Sequence, residues 1–202
     1  MKRPSLYLTL LSLLSKMLLA QGETAVPFLR ISSNPDGNGW GGISSAVVSN
    51  NAMAPIANPA QLGVFSLNNL FLASTYVPKT EWLPSFGLSD LTYDVTAANI
   101  GLNLKSWFSL PVPISIGLGY SRIYLSLGRF IITGPGGPEP LGYFDAHEKA
   151  EGFTLAFGMD CFVRFGFGWN FKNITSSLAP ITPGAAGGVG SARVSATDFR
   201  YA

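Results

Sequence analysis

The sequence predicts an all-β fold: an antiparallel transmembrane β-barrel, partial, of about seven or eight strands, with an N-terminal plug segment of small residues. Three observations predict it. The 202-residue chain is 47% hydrophobic but only 12% charged, about half the usual charged share. It opens with the layout of an export signal. Residues 153–172 then alternate apolar and small or polar positions for twenty residues, a period of two that belongs to strands.

The opening segment has a basic start, Lys2 and Arg3, then a leucine-rich run ending at Ala20. A short apolar run with a basic start and a small residue at its end reads as a secretory signal peptide over 1–20. A cytosolic N-terminal helix is the alternative, favoured by Lys16 inside the run. Loss of Lys2, Arg3 and Lys16 leaves ten basic residues against 11 acidic ones, so the basic balance belongs to the signal. No nucleic-acid partner is expected, since such a partner requires a basic patch. No later stretch offers the roughly 20 consecutive apolar residues of a membrane helix. An exported, charge-poor chain without such a helix is then an outer-membrane barrel or a secreted β-sandwich.

Residues 21–60 are read as a plug or leader, and 61–202 as barrel strands and loops. Residues 62–77 predict a short hairpin broken at Asn68 and Asn69. Leu91, Tyr93, Val95 and Ala97 have the opposite parity to Ile100, Leu102 and Leu104. A one-residue slip exchanges faces, so a bulge or turn is expected near 97–99. Pro111 and Pro113 bracket a turn, because proline removes a ladder donor. Ile114, Ile116, Leu118 and Tyr120 then give way to Ile123, Leu125 and Leu127 with shifted parity. A second break is therefore expected near Ser121 and Arg122. Residues 134–149 and 176–191, rich in Gly and Pro, are expected to be external loops.

The stretch 153–172 is the most informative. Phe153, Leu155, Phe157, Met159, Cys161, Val163, Phe165, Phe167, Trp169 and Phe171 share one parity. Twenty residues exceed one crossing, since a membrane strand needs about 9–11. A tight turn at 160–162 would make two strands with the same parity on the same face. Aromatics on one side and Gly or small polar residues on the other suit lipid outside and a crowded lumen inside. A soluble sandwich also alternates, but it rarely offers such an aromatic face.

Chemistry-bearing constellations are sparse, and no catalytic, cofactor-binding or metal-binding residues are assigned. Asp145, His147, Glu148 and Glu151 match no metal-ligand spacing and read as a solvated loop face. Cys161 has no neighbouring histidine to activate it. The glycine-rich run 184–190 lacks the Lys-Ser/Thr pair of a phosphate loop. Asn173-Ile174-Thr175 fits a glycosylation sequon. The chain is read as non-enzymatic.

Residues 28–60 carry a family resemblance. Phe28-Leu29-Arg30-Ile31 is followed by Gly39-Trp40-Gly41-Gly42, a small-residue segment, and Asn58-Pro59-Ala60. This order after a signal peptide resembles the PorV/PorQ family of outer-membrane barrels, which are themselves similar to the FadL transporters. Residues 166–174 also resemble a strand of that family. The resemblance implies a plug or hatch motif at Gly39, Gly41, Gly42, Asn58, Pro59 and Ala60, just before the first strand. It implies residence in the bacterial outer membrane, with outer-membrane lipid as one partner and exported proteins or secretion-machine subunits as others. The implied function is binding or shuttling of exported proteins at the cell surface by a type IX-like secretion system. A FadL-like channel for hydrophobic small molecules and a purely structural membrane protein are the alternatives. Family members are longer, and 198–202 read as the start of another strand, so a truncated member is expected; an independent small barrel is the alternative.

Overall fold

The computed structural model describes residues 27–47, 49–81, 88–134, 137–178 and 192–201. The signal segment and the glycine-rich run 184–190 lie outside these residues. Six strands form one sheet: β1 (Leu70–Glu81), β2 (Thr92–Asn103), β3 (Ile114–Gly134), β4 (Gly137–Asp160), β5 (Arg164–Ser177) and β6 (Ala192–Tyr201). Each pairs antiparallel with the next in sequence order. The sheet is an all-β meander with β1 and β6 at its edges, not closed on itself.

Among the described residues two expected breaks are absent. β2 runs unbroken through 97–99, and β3 through 121–122, with continuous register to their neighbours. What changes there is which face carries the apolar residues. Residues 137–149 are also strand, the first half of β4, rather than loop. Their Gly and Pro content signals a loop locally, but cross-strand pairing with β3 supplies the hydrogen bonds that local propensity does not. A register shift between Ser126 and Gly128 marks a bulge, and Gly128 takes a φ of +95° there, a conformation natural to glycine. In β1 the register shifts between Val77 and Thr80, across Pro78, which has no N–H to donate.

The expected turn in 153–172 is present: β4 ends at Asp160, and β5 begins at Arg164. Phe157 pairs with Phe167, Leu155 with Trp169 and Phe153 with Phe171. Cys161 lies exposed in this turn.

The N-terminal segment packs on the inner face of the sheet. A 3-10 turn (Pro27–Arg30) is followed by three short helices: α1 (Pro35–Gly39), α2 (Ala54–Ala57) and α3 (Ala60–Ser66). A fourth, α4 (Lys105–Phe108), joins β2 to β3. The hairpin expected over 62–77 is instead the end of α3 followed by β1. Asn58-Pro59-Ala60 accordingly opens a helix rather than a strand: Asn58 Oδ1 accepts from the Ala60 N–H at 3.1 Å. That cap, with Pro59 at the helix entry, satisfies one of the donors every helix start leaves over.

Candidate functional site: a two-faced sheet with a seated N-terminal segment

The four expected acidic and histidine positions separate on the strand. His147 and Glu148 are consecutive in β4 and so point to opposite faces. Glu148 is buried on the inner side and accepts a hydrogen bond from Ser176 Oγ at 3.1 Å. Glu151 is on the outer side, paired with Lys149 at 2.7 Å. No group of three or more His, Cys, Asp or Glu side chains able to hold a metal forms among the described residues.

The sheet divides into two halves along its strands. In the lower half, toward the turn between β4 and β5, the outer face is a continuous apolar surface. One cross-strand row runs Leu72, Ile100, Leu118, Leu155, Trp169. The next runs Leu70, Leu102, Ile116, Phe157, Phe167. Most of these side chains are exposed, together with Phe153, Phe165 and Phe171. Soluble monomers rarely expose apolar patches beyond a few hundred Å². At the turn end, Trp107, Phe108, Phe162 and Val163 are also exposed.

The upper half reverses the pattern. Beyond the row Ser74, Ala98, Tyr120, Phe153, Phe171, the outer positions become Thr96, Arg122, Glu151 and Asn173, then Asp94, Tyr124, Lys149 and Thr175. Arg122 lies over the Tyr124 ring, 5.5 Å from its centroid. The Lys149 ammonium holds the Glu151 carboxyl below its usual range, with lesser help from Arg122 and Tyr120. The inner positions become apolar: Tyr93, Val95, Ala97, Ile123, Leu125, Ala150 and Ile174 form a core with Phe28, Ala52 and Met53 of the N-terminal segment. Burial pushes the Tyr93 hydroxyl's pKa up, against the opposing hydrogen bond to Ser33 at 2.9 Å.

The apolar band extends from the row of Phe153 to the turn between β4 and β5. From Phe153 to Asp160, where β4 ends, is seven residue steps, which at about 3.3 Å each and a tilt near 40° span about 18 Å. The apolar band of outer-membrane barrels is about 25 Å tall and is edged by aromatic girdles. Tyr120 and Phe153, with ring centroids 5.3 Å apart, stand at one edge. Trp107, Phe108 and Phe162 stand at the other.

Inside the lower half, the wall is made thin enough for α3 to lie directly on it. A Cβ at Gly158 would strike the Gly63 carbonyl, and one at Gly168 would strike Pro59 and Ala60. Gly117 faces Leu62, and Gly101 faces Ser66. Polar side chains of the wall bind the segment's backbone: Ser115 Oγ donates to the Gly63 carbonyl at 2.6 Å, Asn99 Nδ2 to Ala52 at 2.7 Å and Asn103 Nδ2 to Leu67 at 2.6 Å. These three residues anchor the segment to the wall, a role that the period of the strands does not predict. Their signal was an Asn or Ser on the small-residue face of a strand.

The predicted motif positions fall in two places. Asn58, Pro59 and Ala60 are buried against β5, and Asn58 Nδ2 donates to the Ser45 carbonyl at 3.0 Å. Gly39 ends α1, and Gly41 and Gly42 take φ values of +75° and +89° in the exposed turn after it. The motif is thus split between a fixed seat and a surface turn. A polar knot holds the segment's upper part: Asp36 Oδ2 accepts from Ser49 Oγ and Asn51 Nδ2, both at 2.9 Å, and Asn34 Oδ1 accepts from Asn51 Nδ2 at 2.8 Å. Gln61, fully buried, donates to the Ser44 and Val47 carbonyls and accepts from the Ser49 N–H.

Comparison with protein-family models, curated proteins and solved structures finds no match to this chain.

Proposed function

We propose that this chain is a non-enzymatic outer-membrane β-barrel protein, its six strands part of the barrel wall and its N-terminal segment the plug. The observation that carries this reading is the reversal of polarity between the two halves of each long strand. A lipid-facing band requires apolar side chains outside and tolerates small polar ones inside; a wall standing in water requires the opposite. Unpaired edges cannot face hydrocarbon, because each unsatisfied backbone group there costs several kcal/mol. In the membrane the edges of β1 and β6 must therefore be paired.

Within that setting, the PorV/PorQ resemblance supports a role in type IX-like protein secretion, binding or shuttling exported proteins at the cell surface. Short turns of outer-membrane barrels face the periplasm, and longer extensions face outward. The end carrying the turn at 161–163 is then periplasmic, and the hairpin of β3 and β4 reaches into the medium. Its tip exposes Phe130, Ile131, Leu141 and Tyr143, the kind of apolar rim that a protein cargo requires. The inner wall of the band is occupied by α3, which supports a protein-binding rim over a greasy conduit through this part of the sheet.

The test is made in the source bacterium. Cysteines placed singly at Leu141 and Ser109 are labelled on whole cells with a membrane-impermeant maleimide, in a Cys161→Ser background. Labelling at 141 but not at 109 is expected. Deletion of the gene should leave surface-exported proteins trapped in the periplasm, and Leu141→Asp should reproduce that defect while the protein remains inserted. Normal export from the deletion strain would overturn the secretion role, and a water-soluble protein would overturn the membrane placement.

A further inference from the structure

β3 and β4 outrun their neighbours in the sheet. β2 last pairs with β3 at Ser126, opposite Thr92, and β5 last pairs with β4 at His147, opposite Ser177. β3 and β4 go on pairing with each other as far as Gly134 and Gly137. Residues 127–134 and 137–146 therefore form a two-stranded ribbon. Among the described residues no strand lies along either of its long edges.

A lone two-stranded ribbon is marginally stable in water; a third strand or a packed face normally holds one. This one carries apolar residues on both faces, since successive residues of a strand alternate. The Phe130 and Phe144 rings stack with centroids 5.5 Å apart, and Ile131 stands opposite Tyr143 on the other face. Phe130, Ile131 and Tyr143 are exposed. A partner laid on one face would leave the other in water. A strand added edge-on extends both faces at once and also pairs the open backbone groups.

The two edges of the ribbon differ. The β4 side carries Pro138 and Pro140, which have no N–H to donate, and proline is a common guard of an open edge. The β3 side, Arg129-Phe130-Ile131-Ile132-Thr133, has no proline and consists mainly of strong strand formers. The open stretch starts at Arg129, because Asp90 stands against Gly128 just below it. The Arg129 charge is answered within the ribbon by Asp145 at 2.9 Å, so this edge calls for no charged partner. A second copy does not fit. Two copies inserted the same way would bring their β3 edges together running in one direction, and a two-fold axis between them sets donor against donor.

We propose that the β3 edge over 129–133 takes up an extended, uncharged apolar segment of an exported protein, which adds as a third strand antiparallel to β3 and in line with β2. Main-chain hydrogen bonds supply the affinity. Phe130 and Ile132 on one face and Ile131 on the other favour apolar side chains at successive positions of the added strand. The inference rests on the placement of this hairpin in the medium given above, and it names what the rim takes hold of.

The test uses the full chain reconstituted in lipid vesicles, with backbone hydrogen exchange read by mass spectrometry. The probe is a synthetic peptide of alternating valine and threonine. The control is the same peptide with every amide N-methylated, which leaves no main-chain donor. At about ten times its dissociation constant, the probe should slow exchange over 129–134 about tenfold, more than over 141–146, and leave 164–171 unchanged. The methylated peptide should have no effect. Equal slowing by both peptides would reduce the contact to apolar adhesion and overturn the proposal. So would slowing confined to 141–146, or none up to the solubility limit of the probe. Slow exchange over 129–134 before any peptide is added would also overturn it, since a connecting segment of this chain or a second copy would then hold the edge. The maleimide labelling described above tests the membrane placement separately, so an inserted protein whose exchange ignores the probe refutes the edge alone.

Discussion

The lower and upper halves of this sheet use the same strands and opposite rules. In β2, Val95 is buried and Ile100 is exposed, though both are β-branched aliphatics five residues apart. In β3, Ile116 and Leu118 face out, whereas Ile123 and Leu125 face in. The change occurs at one level across four strands, between the rows containing Tyr120 and Arg122. A local accident in one strand would not align with its neighbours. The common level shows that the reversal belongs to the sheet as a whole; on the membrane placement proposed above, it marks where the outer face would leave lipid.

The sharpest way to break this comparison is to charge an inner position of the upper half. Val95→Asp buries a carboxylate with no partner in the apolar core and should destabilise by about 3–5 kcal/mol. Thr96→Asp, one residue on and facing out, should change stability by less than about 0.5 kcal/mol. Chemical denaturation of the lipid-reconstituted protein measures both, and equal losses would mean that the upper half has no inside.

On the lower half the same logic runs outward. Phe157→Arg should cost about 2–4 kcal/mol near the bilayer midplane. Thr175→Arg, on the same outer face but in the upper half, should be nearly neutral. A harmless arginine at 157 in lipid would remove the band. Somewhat smaller is the effect of thickening the wall under α3. Gly158→Ala drives a methyl group into the Gly63 carbonyl and should cost about 1–3 kcal/mol by overpacking. Gly142→Ala, on the upper hairpin with only the Ile132 side chain nearby, should cost far less in the same assay.

The smallest effect lies at the boundary. The Glu151 carboxyl is held below its ordinary value of 4.5 chiefly by Lys149. A depressed carboxylate contributes stability that is present above the unfolded value and is lost as pH falls through the folded one. The pair is partly solvated, so its worth is below about 1 kcal/mol. Glu151→Gln should therefore lower the melting temperature slightly at neutral pH and flatten the wild-type loss of stability below about pH 4.5. An identical pH profile in the variant would show that the pair contributes nothing.

Much of the lower half was legible in the sequence because one face there is chemically extreme. The run from Phe153 to Phe171 repeats an aromatic or aliphatic residue every second position, and glycine, alanine or a small polar residue between them, so period, turn and faces follow together. The upper half is harder to read in sequence for a physical reason. The apolar residues of β2 and β3 move to the other face part-way along each strand while the register runs on, and in a one-dimensional pattern this looks the same as a slip or a bulge. Residues 137–149 failed differently: their glycines and prolines signal a loop locally, while pairing with β3 makes them strand.

The sequence by itself determined that this chain forms an antiparallel sheet, that 153–172 folds as a hairpin with one aromatic face, and that 28–60 is not strand. Those features follow from local periodicity and turn chemistry, which act over a few neighbouring residues. Only the tertiary structure decided that the helix opened by Asn58-Pro59-Ala60 lies on a glycine floor supplied by four strands, and that Ser115, Asn99 and Asn103 bind the backbone of the N-terminal segment. These depend on residues from about 35 to more than a hundred positions apart being brought together, and no local pattern encodes which glycine faces which carbonyl.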